Sequence, residues 1–168
     1  MRELETDRLL LRPLTPDDLP WIAELYADPE IGRWLGGTRT RAQAAESLDR
    51  MWNLFREQGF GLMAAVEKLT GQCIGRCGYL VQSVEGRQEL ELAWAIARER
   101  WGRGFATEAA AALRDHAFGA MGRERVISLV RPENVASAAV AKKIGMQVEG
   151  EVPFRGDVVD LWALAKPS

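Results

Sequence analysis

Trp101-Gly-Arg-Gly-Phe-Ala-Thr-Glu-Ala109 lies between a strand-like run, Glu89 to Ile96, and an alanine-rich helical run, Ala106 to Phe118. A strand that ends in a glycine turn and opens a helix makes an anion site. Backbone N–H groups and the positive end of the helix dipole both point at the turn. Glycine at 102 and 104 lets a phosphate approach the backbone with no Cβ in the way. Arg98, Arg100 and Arg103 surround the turn, either as solvated surface or as counter-charge. The Thr107 hydroxyl suits a phosphate contact, a helix cap, or both.

The flanking pattern gives the architecture. Arg8 to Leu14 reads as a strand, and Thr15-Pro-Asp-Asp18 starts a helix that ends near Ala27. A loop then runs to Gly37. Ala44, Leu48, Met51, Trp52 and Phe55 form a core-facing stripe on a helix over 41–58. Phe60 to Glu67, Cys73 to Val81 and Glu89 to Ile96 read as three successive strands, an antiparallel meander. After the helix following Gly104 come a buried-type strand, Val126 to Val130, and a short helix from Asn134 to Ile144. Asn134 suits its N-cap and Gly145 its end. Met146 to Val152 and Val158 to Ala165 are the last strands, around a loop with Pro153, Phe154 and Arg155. The pattern predicts an α+β chain: a central mixed, mostly antiparallel sheet of about seven strands flanked by about four helices, in a single domain over 1–168.

Composition narrows the partners. With 22 basic and 24 acidic side chains the net charge is −2, which gives no electrostatic case for nucleic-acid binding. His116 is the one histidine, so no zinc-type cluster can form and no metal is expected. Cys73 and Cys77 are read as small core residues on the same face of one strand, about 13 Å apart, too far for a disulfide. The opening Met-Arg-Glu-Leu-Glu lacks an apolar signal core, and no run approaches the length that spans a bilayer. A cytoplasmic protein with no membrane partner is expected; a homodimer is left open.

Three ligands compete for the turn. A P-loop would need Gly-x-x-x-x-Gly-Lys-Ser/Thr, which is absent. A dinucleotide fingerprint would need a third glycine where Thr107 stands, and repeating β-α units instead of a meander. The pyrophosphate of coenzyme A is the third. Here the chain resembles a GNAT-superfamily N-acetyltransferase, of the branch similar to the RimJ/RimL ribosomal-protein N-terminal acetyltransferases. Four ordered segments carry the resemblance: Glu5-Thr-Asp-Arg-Leu-Leu-Leu-Arg-Pro13, Glu91-Leu-Ala-Trp-Ala-Ile96, the turn from Trp101 to Ala109, and Asn134-Val-Ala-Ser137 followed by Lys143-Ile-Gly-Met146. The likeness covers about residues 4 to 165. Ala141 stands where many members carry a tyrosine general acid, and Met146 replaces the usual phenylalanine.

The resemblance implies acetyl-CoA as co-substrate and direct acetyl transfer to a primary amine, either a protein N-terminus or a small amine. It implies backbone contacts along Trp94, Ala95 and Ile96. It places the pyrophosphate on Trp101, Gly102, Arg103, Gly104, Phe105, Ala106 and Thr107. Asn134 and Ser137 would meet the pantetheine and the thioester sulfur, and Lys143 would reach the adenosine end. Glu91 is the candidate general base and Ser137 the candidate donor to the departing sulfur. A carboxylate near its ordinary pKa is a poor base for an amine, so a raised value or a relaying water is expected. Glu89 shares the strand face and offers a second carboxylate. His116 reads as structural. Trp34, Phe60, Tyr79 and Phe154 either line the acceptor pocket or pack in the core. Asp28, Glu30, Asp157 and Asp160 are the acids that could attract a cationic amine. A non-catalytic acyl-CoA-binding module is the rival reading.

Overall fold

A computed structural model of the chain describes residues 3–167. Met1 and Arg2, part of the opening read for a signal segment, and Ser168, the end of the domain span, lie outside the described residues.

The chain opens with two short strands, β1 (Leu4–Glu5) and β2 (Leu9–Pro13). A 3-10 turn over Pro16–Asp18 leads into α1 (Leu19–Ala27), and α2 (Pro29–Gly32) and α3 (Arg41–Gln58) follow. Thr40 and Gln43 form a reciprocal capping box that starts α3, and left-handed Gly59 ends it. The meander is β3 (Leu62–Glu67), β4 (Cys73–Val84) and β5 (Arg87–Ile96). Then come α4 (Phe105–Phe118), β6 (Arg125–Val130), α5 (Val135–Lys143), β7 (Gln147–Phe154) and β8 (Asp157–Ala165).

All eight strands form one sheet in the order β1-β2-β3-β4-β5-β6-β8-β7. Each neighbouring pair is antiparallel except β5 and β6, which run parallel. Helices cover both faces. α4 lays Ala109, Ala110, Leu113 and Ala117 against Leu92, Ile96 and Tyr79 of the sheet. Its small residues bring the helix axis close, as the alanine pattern implied. On the other face Ile22, Tyr26, Ala44 and Leu48 of α1 and α3 pack over Leu62 and Ala64. A third cluster, Val84, Ile127, Val152, Val159, Leu161 and Ala163, fills that face under the C-terminal strands. Among the described residues no helix is long and apolar enough to cross a membrane.

The mixed, mostly antiparallel sheet matches the expected fold class, with corrections of detail. There are eight strands and five helices among the described residues, against about seven and four. The extra strand, β1, is two residues long, too short to show alternation. The extra helix, α2, falls in the stretch read as loop. Asp28 caps it by accepting from Glu30 and Ile31 N–H. The polar loop at Glu85-Gly86 is a two-residue turn with φ of 48° and 81°, so β4 and β5 extend further than expected. Arg155-Gly156 makes the same kind of turn between β7 and β8, with φ of 52° and 88°. The two cysteines do not share a face. A bulge in the β3–β4 ladder at Ala65/Val66 inserts Ile74. Cys73 therefore packs toward α1 and Cys77 toward α4. Both thiols are free, and burial pushes each up to about 12.

Candidate active site

β5 and β6 meet at one residue pair, Glu91↔Ile127. Beyond it no further residue pair joins the two strands toward the C-terminal end of β5, which leaves a splay there. Two side chains line this seam. Ser128 Oγ donates to the Leu92 carbonyl at 2.8 Å from a buried position. Trp101 Nε1 donates to the Ile96 carbonyl at 2.6 Å. Strand alternation puts the Trp94 N–H and C=O on the same edge, where β6 supplies no paired residue. Of the expected strand contacts, then, Trp94 faces the opening. Ala95 turns its backbone to β4, and the Ile96 carbonyl is already taken. Trp162, opposite Ser128 on β8, has its indole N–H buried without an acceptor.

At the mouth of the splay stands the glycine turn. Gly102 and Gly104 have φ of 73° and 82°, in the left-handed region, and Gly104 is the N-cap of α4. No side chain caps this helix. By contrast Asp28, Thr40 and Asn134 cap α2, α3 and α5. The first helical hydrogen bond runs from Glu108 N–H to the Gly104 carbonyl. The N–H groups of Phe105, Ala106 and Thr107 therefore precede the ladder, as at any helix start. A Cβ on Gly102 would meet nothing within 4 Å.

The arginines around the turn divide. Arg98 lies 3.5 Å from Asp28 and Arg100 3.2 Å from Glu67, so both are engaged in ion pairs. Arg103 has an exposed side chain, and its carbonyl accepts from Arg8 at 2.9 Å. Arg8 is a residue the sequence reading did not assign to the turn. Its guanidinium pairs with Glu108 at 2.6 Å and lies 4.5 Å from the Phe105 ring centre, tying β2 to the first turn of α4. Thr107 is half-buried and does not cap the helix.

Glu91 sits on the α1–α3 side of the sheet, at the seam, and is 8% exposed. Gln82 Nε2 donates to its Oε2 at 2.7 Å. Burial pushes its carboxyl above the ordinary range. The Gln82 hydrogen bond and the Leu129 backbone amide work against that shift. Glu89, the other carboxylate on this strand face, is engaged in an ion pair. Arg125 holds it at 3.2 Å and binds Glu149 at 2.7 Å as well.

Across the splay, the Asn134 side chain accepts from Ser137 N–H at 3.1 Å, a local cap of α5. The Ser137 hydroxyl is half-buried and makes no hydrogen bond among the described residues. Lys143 is exposed in the last turn of α5. Ala141 is fully buried against the α4 core. Arg114, unassigned by the sequence reading, donates to the Ile144 carbonyl just past α5 at 2.8 Å.

The expected acceptor aromatics separate. Tyr79 is core, 1% exposed. Its hydroxyl donates to the Leu113 carbonyl at 2.6 Å and lies 2.9 Å from His116 Nδ1. His116 is thus structural, and burial lowers its pKa. Phe60 packs edge-on to Tyr79 on the same side. Trp34 and Phe154 are half-buried under Arg33 and Arg155. Among the acids, Asp28 is committed to its cap and to Arg98, and Asp157 to Arg131. Glu30 is exposed and Asp160 half-buried. On the α1 side of the turn a cavity of ≈ 320 Å³ is lined by Trp21, Leu25, Asp28, Cys73, Ala97 and neighbouring residues. Among the described residues no group of three or more metal-binding side chains gathers.

Comparison with known proteins adds to this geometry. The acetyltransferase (GNAT) domain model matches residues 8–147. The uncharacterized N-acetyltransferase YnaD of Bacillus subtilis (strain 168) is 38% identical over 148 residues, which cover 88% of this chain and 84% of the relative. The uncharacterized protein YkkB of the same strain is 35% identical over 147 residues, covering 86% and 84%. The crystal structure of an acetyltransferase from Agrobacterium tumefaciens str. C58 superposes with a TM-score of 0.85 at 30% identity, covering 99% of this chain and 95% of that one.

Proposed function

The chain belongs to the GNAT acetyltransferase family, and from that premise we propose that it transfers the acetyl group of acetyl-CoA directly to a primary amine. We place it in the branch similar to the RimJ/RimL enzymes, acting in the cytoplasm. The observation that carries the reading is the uncapped start of α4, with left-handed glycines at 102 and 104, at the open end of the β5–β6 seam.

The residues fit acetyl-CoA. The N–H groups from Gly102 to Thr107 would take the pyrophosphate, aided by the α4 dipole. The free edge at Trp94 would pair with the pantetheine amides. The buried Trp162 N–H lies two strands away, a donor still lacking an acceptor. The thioester, once bound, supplies an acyl carbon activated for attack by an amine.

The rest falls to side chains. An ammonium must lose a proton before it has a lone pair, and Glu91 receives it. Its raised pKa brings the carboxylate nearer to the amine's and makes it a better base. The new N–C bond forms as the C–S bond breaks. Ser137 Oγ hydrogen-bonds the departing sulfur, which takes up a proton as free thiol. The balance is an acetamide, coenzyme A and one proton released. No cysteine serves as an intermediate acyl carrier: both thiols sit in the core-facing strand β4, held protonated by burial.

The test is thiol release from acetyl-CoA over a panel of amines, with Glu91→Gln beside the wild type. Wild-type kcat/KM falls as pH drops through the raised Glu91 pKa, because the base becomes protonated. Glu91→Gln lowers kcat by about 10²–10⁴-fold, keeps acetyl-CoA affinity and flattens that acid limb. Full activity in the variant would remove Glu91 as base. Coenzyme A binding with no thiol release from any amine would favour the non-catalytic module.

A further inference from the structure

Arg76 stands in the middle of β4, in the otherwise uncharged run Ile74-Gly-Arg-Cys-Gly78. It is 7% exposed, with Ala64 of β3 and Ala95 of β5 beside it in the ladder. Its Nε is sealed without an acceptor. Among the described residues the guanidinium makes no hydrogen bond and no ion pair. It lies over the face of Tyr26 on α1, 5.5 Å from the ring centre. Arg39 already lies 4.4 Å from that same ring, so the ring is shared between two cations.

Arg39 at least binds Ser47 Oγ and the Leu35 carbonyl, and three other inward arginines meet carboxylates. Arg12 is held by Asp18, Arg100 by Glu67, and Arg125 by Glu89 and Glu149. Arg76 feels the Glu91 carboxylate only through space. A guanidinium taken out of water with no carboxylate in contact is costly, and an aromatic face does not replace that contact.

The position of Arg76 says where such a contact would come from. The β4–β5 register pairs Arg76 with Ala95, Gly78 with Ala93, and Leu80 with Glu91. Residues two apart share a face, so Arg76 and Glu91 point to the same side, toward α1 and α3. Four residues of strand, about 13 Å of backbone, separate their rows. The row between is Gly78 and Ala93, a hydrogen and a methyl group. A Cβ at Gly78 would lie 2.1 Å from the Gly61 carbonyl, so this row has no room for a larger side chain on β4. A buried carboxylate and a buried guanidinium with no hydrogen bond thus share one face of the β4–β5 pair, and each feels the other's charge.

We propose that the acceptor is a small amino-carboxylate, a free amino acid, whose amine faces Glu91 and whose carboxylate pairs with Arg76. This rests on the acetyl-transfer reading and names its substrate class. A planar guanidinium matches a carboxylate in two parallel hydrogen bonds. A polyamine or aminoglycoside would bring a second cation against Arg76, and like charges there repel. A peptide N-terminus brings a neutral amide where the carboxylate is needed.

The experiment measures thiol release with the L-amino acids, their C-terminal amides, their decarboxylated amines, and amidated peptides beginning with Asp or Glu. The wild type prefers acids over the matching amides by at least about tenfold in kcat/KM. Arg76→Met reduces that ratio to near unity, chiefly through KM for the acids. Arg76→Lys retains part of it, and carries the test if the Met variant does not fold. In parallel, the amino acids raise the melting temperature of the coenzyme A-saturated wild type and not of Arg76→Met. Equal turnover of acids and amides, an unchanged ratio in Arg76→Met, or preference for the acidic peptides overturns the proposal while leaving acetyl transfer standing. No turnover of any amine overturns acetyl transfer itself, and the melting experiment then decides Arg76 alone.

Discussion

The donor side and the acceptor side of the seam are made of different material. On the proposed reading the donor side is backbone: a left-handed glycine turn, an uncapped helix start and a strand edge at Trp94. The proposed acceptor side is side chain: buried Glu91 with half-buried Gln82, and buried Arg76 against Tyr26, drawn from three elements. A backbone site asks little of residue identity beyond glycine, so it can hold one ligand through much sequence change. A side-chain site changes specificity with each substitution. One half is suited to a fixed co-substrate, the other to a variable one.

Substitutions that reach only one half probe this division. The largest effect is expected from Gly104→Val. A β-branched residue at φ of 82° is strained by roughly 1–2 kcal/mol, and its Cβ would touch the Arg8 guanidinium at 3.4 Å. The variant remains folded by circular dichroism but binds coenzyme A more than about 100-fold weaker by calorimetry, since the amides lose their aim. Retained affinity would break the claim that backbone holds the donor.

Next is the stability of Glu91→Gln. Burial raises the folded-state pKa of Glu91 above its unfolded value, so the native protein binds the extra proton. The contribution of this group to stability is full at low pH and is lost as pH rises through the raised pKa. Glu91→Gln therefore melts higher than the wild type at pH 8, by a few degrees, and the gap closes as pH falls to the ordinary carboxylate range. A lower melting point at pH 8 would make Glu91 a structural group and not a functional one.

The smallest effect is expected from Arg103→Ala. Its side chain is exposed, and its carbonyl, the atom that Arg8 grips, survives the change. Coenzyme A affinity falls by less than about tenfold, and the loss shrinks further at high salt. A larger loss would show that side-chain charge, and not backbone, dominates the donor side.

The same division explains what was legible in the sequence. The turn from Trp101 to Ala109 could be read because glycine spacing encodes backbone shape directly. The meander, the alanine helix and the cap at Asn134 were legible for the same local reason. Arg8 was not, because its partner Glu108 lies 100 residues away. Cys73 and Cys77 were assigned to one face because a one-residue bulge leaves no mark in alternation. Trp101 was read as part of the phosphate turn, yet its indole N–H binds the end of β5. Glu91 was read as the base and Glu89 as a second carboxylate on the same face; that Arg125 from β6 pairs with Glu89 could not be read from the strand alone. Arg76 did leave a sign, a charged residue inside an apolar strand run, but its meaning depended on what lay across the ladder.

The seam where β5 and β6 share one residue pair also falls at a division in the order of synthesis. Every residue of the glycine turn, of α4 and of strands β1 to β5 precedes residue 119. The second leaf, β6 to β8 with α5, follows it entirely. A growing chain thus carries the whole sequence of the five-stranded leaf and of the glycine turn before that of the other wall is made. Ser128, Asn134 and Ser137 all belong to the later stretch, so the seam is the join between an early part of the chain and a late one.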